Sequence, residues 1–166
     1  MKALAFSGGK DSMACLHLMR GELACAIYID TGYAYPETRA LVEYVSTMLP
    51  VHVVKVGRSD AIPSEIVPAD WTEFGQLCTT KKAVTIRNYH DCCLEHVALP
   101  LVAKAKELGV TELVYGQRND ESHKATSRDG DVVQGIIRRH PIEDWSADDV
   151  LKYLALKMEI PAHYAI

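Results

Sequence analysis

The stretch Lys2-Ala3-Leu4-Ala5-Phe6-Ser7-Gly8-Gly9-Lys10-Asp11-Ser12 decides the fold class. Lys2–Phe6 is an apolar run that reads as a buried strand, and Ser7-Gly8-Gly9 reads as a loop. Met13, Leu16, Leu18 and Met19 then recur at helical spacing, so a helix is expected over Asp11–Arg20 with Gly21 as its stop. Two glycines let the backbone turn tightly and approach a ligand without Cβ atoms in the way. A helix starting behind such a loop presents unpaired N–H groups and a positive dipole end, which suit phosphate. Ser7 and Ser12 add hydroxyls, and Lys10 adds a mobile positive charge. The competing reading is a plain Gly-rich turn capped by Asp11 or Ser12. A Walker A loop is excluded because position 4, five before Gly9, is Leu4, and no Gly-x-Gly-x-x-Gly dinucleotide fingerprint is present.

Outward from this stretch, strands and helices alternate. Ala24–Ile29 reads as a second buried strand. Pro36 opens a helix whose inner face is Leu41, Val42, Val45, Met48 and Leu49, and Pro50 ends it ahead of a third strand, Val51–Val56. This alternation predicts an α/β fold, a three-layer sandwich with a mainly parallel sheet and helices on both faces. Gly57–Asp91 has weak periodicity, so residues 57–92 are read as a substrate or insert segment. A helix over Cys92–Leu108, interrupted by Pro100, follows. Leu113–Tyr115 is a short strand, Val132–Ile137 a strand or one arm of a hairpin, and Ser146 with Asp149 a capping box opening a last helix through Met158. No repeat or linker divides residues 1–166, which predicts one domain.

Composition bounds the function. The 166 residues are 48% hydrophobic and 24% charged, as in ordinary globular chains, and the net charge is −4. That balance argues against nucleic acid as the main ligand, since phosphate-backbone binders carry a basic excess. No apolar run approaches the roughly 18 residues that read as a membrane span. The start of the chain does not resemble a signal peptide, and a cytoplasmic protein is expected. Cys15 and Cys25, in apolar surroundings, read as small core residues, whereas Cys78, Cys92 and Cys93 lie among polar ones.

Parallel strands deliver the loops after them to one edge, where ligands bind. Ser7–Ser12, Asp30–Gly32 and Gly116–Arg118 are expected there together. Arg118 and Arg138 or Arg139 suit bidentate pairing with phosphate or sulfate oxygens. Asp30 fits a ribose hydroxyl, a metal ion or a helix cap, and Glu121 fits a surface pair with Arg118 or Lys124. Trp145 reads as a core anchor for the last helix.

Four stretches carry a resemblance. Ser7-Gly8-Gly9-Lys10-Asp11-Ser12 resembles the pyrophosphate loop of the adenine-nucleotide alpha-hydrolase superfamily. Asp30-Thr31-Gly32-Tyr33-Ala34-Tyr35-Pro36-Glu37-Thr38 is similar to the phosphoadenosine phosphosulfate (PAPS) reductase family. Gly116-Gln117-Arg118-Asn119-Asp120-Glu121-Ser122 resembles that family's Gly-x-Arg-x-x-Glu/Gln-Ser segment, and Arg139-His140-Pro141-Ile142-Glu143-Asp144-Trp145-Ser146 with Asp149-Val150 its Pro-Ile-x-x-Trp segment. The resemblance implies an adenine-nucleotide alpha-hydrolase fold that binds adenylyl sulfate, PAPS or ATP. It implies nucleotide contacts from Ser7, Gly8, Gly9, Lys10, Asp11, Ser12, Ile29, Asp30, Thr31, Gly32, Gly116, Arg118, Glu121, Arg138 and Arg139. As a reductase the chain would be an oxidoreductase of sulfur metabolism, served by a thioredoxin-like reductant, with a homo-oligomer left open. Two other readings stand beside it. One is an ATP-using nucleotidyltransferase or pyrophosphatase, similar to the ATP sulfurylase small subunit, with Mg²⁺ on the triphosphate. The other is a non-catalytic or partner-dependent nucleotide-binding module.

Asp91-Cys92-Cys93-Leu94-Glu95-His96, running on to Pro100-Leu101, resembles the cysteine pair of the iron-sulfur branch, which implies Cys92 and Cys93 as ligands of a [4Fe-4S] cluster. Such a cluster takes four thiolates. The branch's second pair, a Cys-x-x-Cys, is not in this sequence, and Glu95-His96 replaces its Arg-Lys, so a cluster would need ligands from a partner chain or a missing tail, with Cys78 as a candidate for one of them. Zinc held with His90 and His96, or two free thiols, are the alternatives. The family's attacking cysteine, in a C-terminal Glu-Cys-Gly segment, has no counterpart before Tyr164-Ala165-Ile166, so the family's tail is expected to be absent here.

Overall fold

The computed structural model describes residues 1–32, 34–56, 66–68, 85–87, 93–121 and 127–164. Its main sheet contains β1 (Lys2–Phe6), β2 (Cys25–Asp30), β3 (Val51–Lys55), β6 (Glu112–Val114), β7 (Val132–Val133) and β8 (Ile136–Arg139), in the order β3-β2-β1-β6-β8-β7. Every pairing is parallel except β7 with β8, the hairpin at one edge. The short β4 (Ile66–Pro68) and β5 (Thr85–Arg87) pair parallel with each other inside the segment read as an insert.

Successive side chains of a strand point to opposite faces, and the core follows that rule. Leu4, Phe6, Ala26, Tyr28 and Val114 face one side and pack with Met13 and Leu16 of α1 (Lys10–Met19), Leu41 and Val45 of α2 (Pro36–Ser46) and Val150 and Leu154 of α4 (Ala147–Ala155). Ala3, Cys25, Ile27, Leu113 and Ile136 face the other side and pack with Leu101, Val102 and Ala105 of α3 (Leu99–Glu107). Helices therefore cover both faces, and the three-layer expectation holds.

Local signals explain most of the boundaries. Pro36 stands in the first turn of α2, where its missing N–H costs nothing. The Ser146 side chain accepts from the Asp149 amide while the Asp149 carboxylate accepts from the Ser146 amide, the capping box expected at α4. Trp145 packs edge-on against Tyr153 of α4 at 5.2 Å, as an anchor should. Pro100 corrects one expectation, because it does not interrupt its helix. A π-helical turn, Leu94–Ala98, precedes it, and the Leu99 amide donates to the Leu94 carbonyl five residues back. The wider turn leads into α3 with Pro100 in its first turn, where no intrahelical amide is required.

The C-terminal end of α3 runs through Gly109 into the start of β6, so the helix is antiparallel to the strands. Its leading turn, with Cys93, consequently sits at the C-terminal edge of the sheet, where the loops after β1, β2 and β6 also emerge.

Candidate functional site

The loop after β1 is held by its own hydroxyls. Ser12, buried at 3% exposure, donates from Oγ to the Gly9 carbonyl at 2.9 Å and accepts from Ser7 Oγ at 3.2 Å, and the Gly9 amide donates to Ser7 Oγ at 3.3 Å. These bonds fix the turn from β1 into α1. Gly8 has φ +81°, and a Cβ there would lie 2.6 Å from Thr38 Cγ2, so both its conformation and its contact with α2 require glycine. Gly9 differs. Its φ of −80° and ψ of 161° suit any residue, and a Cβ would meet only Ser7 Oγ at 3.4 Å. Folding leaves that position open to a side chain, and the sequence leaves it bare.

Helix α1 begins at Gly9 with no side-chain cap, so the plain turn capped by Asp11 or Ser12 is not what forms. Asp11 points elsewhere. Its Oδ1 accepts from Arg118 Nε at 2.7 Å, and its Oδ2 lies 3.5 Å from Lys10 Nζ. Arg118 is 6% exposed; its Nη1 donates to Asp120, and its Nη2 lies 3.8 Å from Glu121 Oε1. Three carboxylates thus surround this guanidinium, which makes it a brace between the loop after β6 and the first turn of α1. The expected pairing of Glu121 with Arg118 is present, while the oxyanion role read for Arg118 meets nitrogens already engaged by carboxylates. Asp120, which sequence reasoning passed over, supplies one of these partners, and nothing in its spacing distinguishes it.

Gly116 holds the same two elements together. A Cβ there would come within 2.6 Å of Asp11 C and Ser12 N. The glycine read as a nucleotide contact is thus a point where backbone packs directly on backbone. On β2, Asp30 accepts from the Gly32 amide at 2.8 Å, closing a tight turn with Gly32 at φ +82°, and does not cap α2. Ile29, just before it, packs against the α3-side core. A contact the sequence gives no sign of comes from the far end of the chain. The buried Tyr164 hydroxyl donates to the Gly8 carbonyl at 2.8 Å, satisfying an oxygen that the positive-φ turn takes out of the sheet ladder.

The remaining arginines divide. Arg139 pairs with Glu112 at 2.7 Å and Asp129 at 3.6 Å, whereas Arg138 is buried over the ring of Tyr115. Arg139 also lines a cleft of about 520 Å³ at the C-terminal end of α1 with Lys2, Met19 and Trp145, away from the phosphate-loop candidate. The ion pairs Lys2–Glu112, Arg139–Glu112 and Arg139–Asp129 neutralise its cations.

The cysteines of this chain do not by themselves complete a four-thiolate cluster. Cys15 is fully buried, and burial, reinforced by Asp11, pushes its thiol up to about 12; burial also raises that of Cys25 in β2. Both are core thiols, held protonated. Cys93 is exposed, while Cys78, His90 and Cys92 lie outside the described residues. With two of five cysteines committed to the core, this chain has three left, one short of the set. Among the described residues no group of three or more His, Cys, Asp or Glu is placed to hold a metal. On iodoacetamide treatment at pH 8, Cys93 is expected to modify fast, and Cys15 and Cys25 only as fast as the fold opens. Peptide mass spectrometry reads this; early labelling of Cys15 would contradict its burial.

The profile of the phosphoadenosine phosphosulfate reductase domain matches residues 2–164. The chain belongs to this family. The PAPS reductase of Alkalilimnicola ehrlichii is 27% identical over 163 residues, covering 96% of this chain and 62% of that protein. The chain spans about three fifths of the length of several curated PAPS reductases that it matches. Among solved structures, a PAPS reductase from Candida auris in a phosphate complex superimposes with TM-score 0.60 at 21% identity, covering 93% of this chain and 71% of that one. The FMN adenylyltransferase of Candida glabrata, in complex with FAD and pyrophosphate, gives TM-score 0.58 at 12% identity, covering 95% and 48%. Both likenesses are of fold alone, the three-layer α/β sandwich with a mainly parallel sheet. Among the described residues no helix is long and apolar enough to cross a membrane.

Proposed function

We propose that this chain is an adenine-nucleotide-binding domain of PAPS reductase type, which holds adenylyl sulfate or PAPS at the C-terminal edge of its sheet. The observation that carries the reading is the bare, uncapped start of α1 behind a loop fixed by Ser7, Gly8 and Ser12. Its first-turn amides and dipole attract a phosphate, and the absence of a Cβ at Gly9 lets the phosphate oxygens reach them. Lys10, half-buried beside Asp11, adds charge as the phosphate arrives. Ile29, Asp30, Thr31 and Gly32, at the end of β2, and Gly116, at the end of β6, border the same edge and suit the nucleoside. In this reading the protein is a cytoplasmic oxidoreductase of sulfur metabolism, and electrons come from a thioredoxin-like dithiol. The core positions of Cys15 and Cys25 exclude both from the thiol attack on sulfur.

One observation favours the ATP-using alternative. The loop retains Lys10 and both serines, a set suited to the longer, more highly charged phosphate chain of ATP. Mg²⁺ would then accompany the triphosphate. Asp30, with one oxygen on the Gly32 amide, keeps the other for such an ion, whereas both oxygens of Asp11 face cations, Arg118 and Lys10.

Calorimetric titration with adenylyl sulfate, PAPS, ATP and AMP, with and without Mg²⁺, separates the readings. The sulfonucleotides are expected to bind tightest and without Mg²⁺; preference for ATP with Mg²⁺ supports the transferase reading. Gly9→Val is expected to weaken every phosphorylated ligand at least tenfold, about 1.4 kcal/mol, with little change in melting temperature. Unchanged affinity in that folded variant would leave the loop a structural turn.

A further inference from the structure

Arg118, Arg138 and Arg139 were equal candidates in the sequence, and the fold treats them unequally. Arg118 has three carboxylates around it and Arg139 has two. Arg138 is 8% exposed, its Nε is buried without a hydrogen-bond partner, and among the described residues no carboxylate pairs with it. Burial pulls the Arg138 pKa down with no described group offsetting it, whereas at Arg118 burial acts the same way and Asp11 and Asp120 reverse it. A buried charge with no counter-charge is costly, and a single cation–π contact offsets only part of that cost.

The position of Arg138 gives that cost a use. Arg138 is in register with Leu113, so its side chain shares the α3 face of the sheet, and its guanidinium reaches 4.8 Å above the Tyr115 ring, one residue beyond the end of β6. His140 stacks on the same ring at 5.6 Å; its Nε2 is 3.1 Å from Ser127 Oγ, and its Nδ1 is buried without a partner. In the sheet order β8 is two strands from β1, roughly 10 Å at the usual strand spacing. An adenylyl ligand with one phosphate on the Ser7–Ser12 loop would have to reach about that far along the edge, from the α1 face to the α3 face.

We propose that Arg138, laid on the Tyr115 ring, is the oxyanion anchor of this site and takes the sulfate or outer phosphate of an adenylyl ligand. The proposal rests on the nucleotide reading above and divides the arginines: Arg138 meets the ligand, while Arg118 positions the loop. The bound anion supplies the counter-charge that no described carboxylate provides.

Arg138→Met removes the charge and keeps most of the volume. Its melting temperature is expected to equal or exceed that of the wild type, the opposite of what removing an ion-paired arginine does. Inorganic sulfate, titrated with melting temperature as the readout, should stabilise the wild type more than the variant, whose remaining response comes from the loop before α1 and from the general stabilising effect of sulfate. Affinity for adenylyl sulfate and ADP should fall at least tenfold, and that for AMP by less than threefold; a larger loss for adenylyl sulfate than for ADP marks sulfate as the group held. Should Arg138→Met fail to fold, Arg138→Lys keeps the charge without the fork and is expected to bind adenylyl sulfate with intermediate affinity. Equal sulfate and nucleotide responses in a folded variant and the wild type would overturn the anchor while leaving the nucleotide reading intact. A sulfate response that depends on Arg138, with no adenine nucleotide bound, would support the anchor and overturn the nucleotide reading.

Discussion

Gly116→Ala is expected to lower stability by about 2–3 kcal/mol, the upper part of the usual range for overpacking, and so to lower Tm by roughly 8 °C in a domain of this length. The reason is geometric. The added methyl would sit 2.6 Å from Asp11 C and Ser12 N and 2.8 Å from Asp11 O, all backbone atoms of the first turn of α1. No side chain can rotate away to relieve the contact, so β6 and α1 must part. That movement carries the Ser7–Ser12 loop with it, and nucleotide affinity should fall alongside stability. The control is Gly130→Ala, at a positive-φ glycine with no atom within 4 Å of the added Cβ, which bears only conformational strain of about 1 kcal/mol. Urea denaturation of both variants checks the prediction. Equal, small losses would mean that Gly116 does not hold these elements in contact.

The second large effect is expected at Arg118. Replacing it with Met strips the shared cation from Asp11, Asp120 and Glu121. Breaking a fully buried pair typically costs 3–5 kcal/mol, but the Asp120 side chain is 48% exposed and Glu121 32%, so solvent recovers much of the loss. About 2 kcal/mol is the expected destabilisation, most of it from Asp11, whose side chain is 14% exposed. A double-mutant cycle with Asp11→Asn should then show coupling of about 1 kcal/mol or more, because the two groups are in direct contact. Additive losses would show that the brace is not energetic. This expectation runs opposite in sign to that for Arg138→Met, so the two arginines, twenty residues apart, provide each other's control.

Much of this was legible in the sequence for identifiable reasons. The strand, loop and helix of residues 2–20 announce themselves because apolar periodicity changes at two glycines, and the capping box of Ser146 and Asp149 is a purely local signal. Parallel pairing follows from the alternation of strands and helices, and with it the convergence of three loops on one edge. What stayed hidden depends on contacts between distant residues. Tyr164 reaches Gly8 across 156 positions, and no periodicity marks it. The division of labour among Arg118, Arg138 and Arg139 turns on which carboxylates lie within reach, which spacing cannot state. Pro100 misled because a proline inside an apolar helical pattern reads as a break, and the π-turn at Leu94–Ala98 that accommodates it has no simple sequence signature.

In the proposed function a nucleotide phosphate sits on the amides at the start of α1. Backbone amide NMR on the isotopically labelled protein, titrated with adenylyl sulfate, tests it most directly. The largest shifts are expected at Gly8, Gly9, Lys10, Asp11 and Ser12, with AMP moving fewer of them and Gly9→Val abolishing them. Shifts confined to other parts of the chain, with these amides unmoved at saturation, would contradict it.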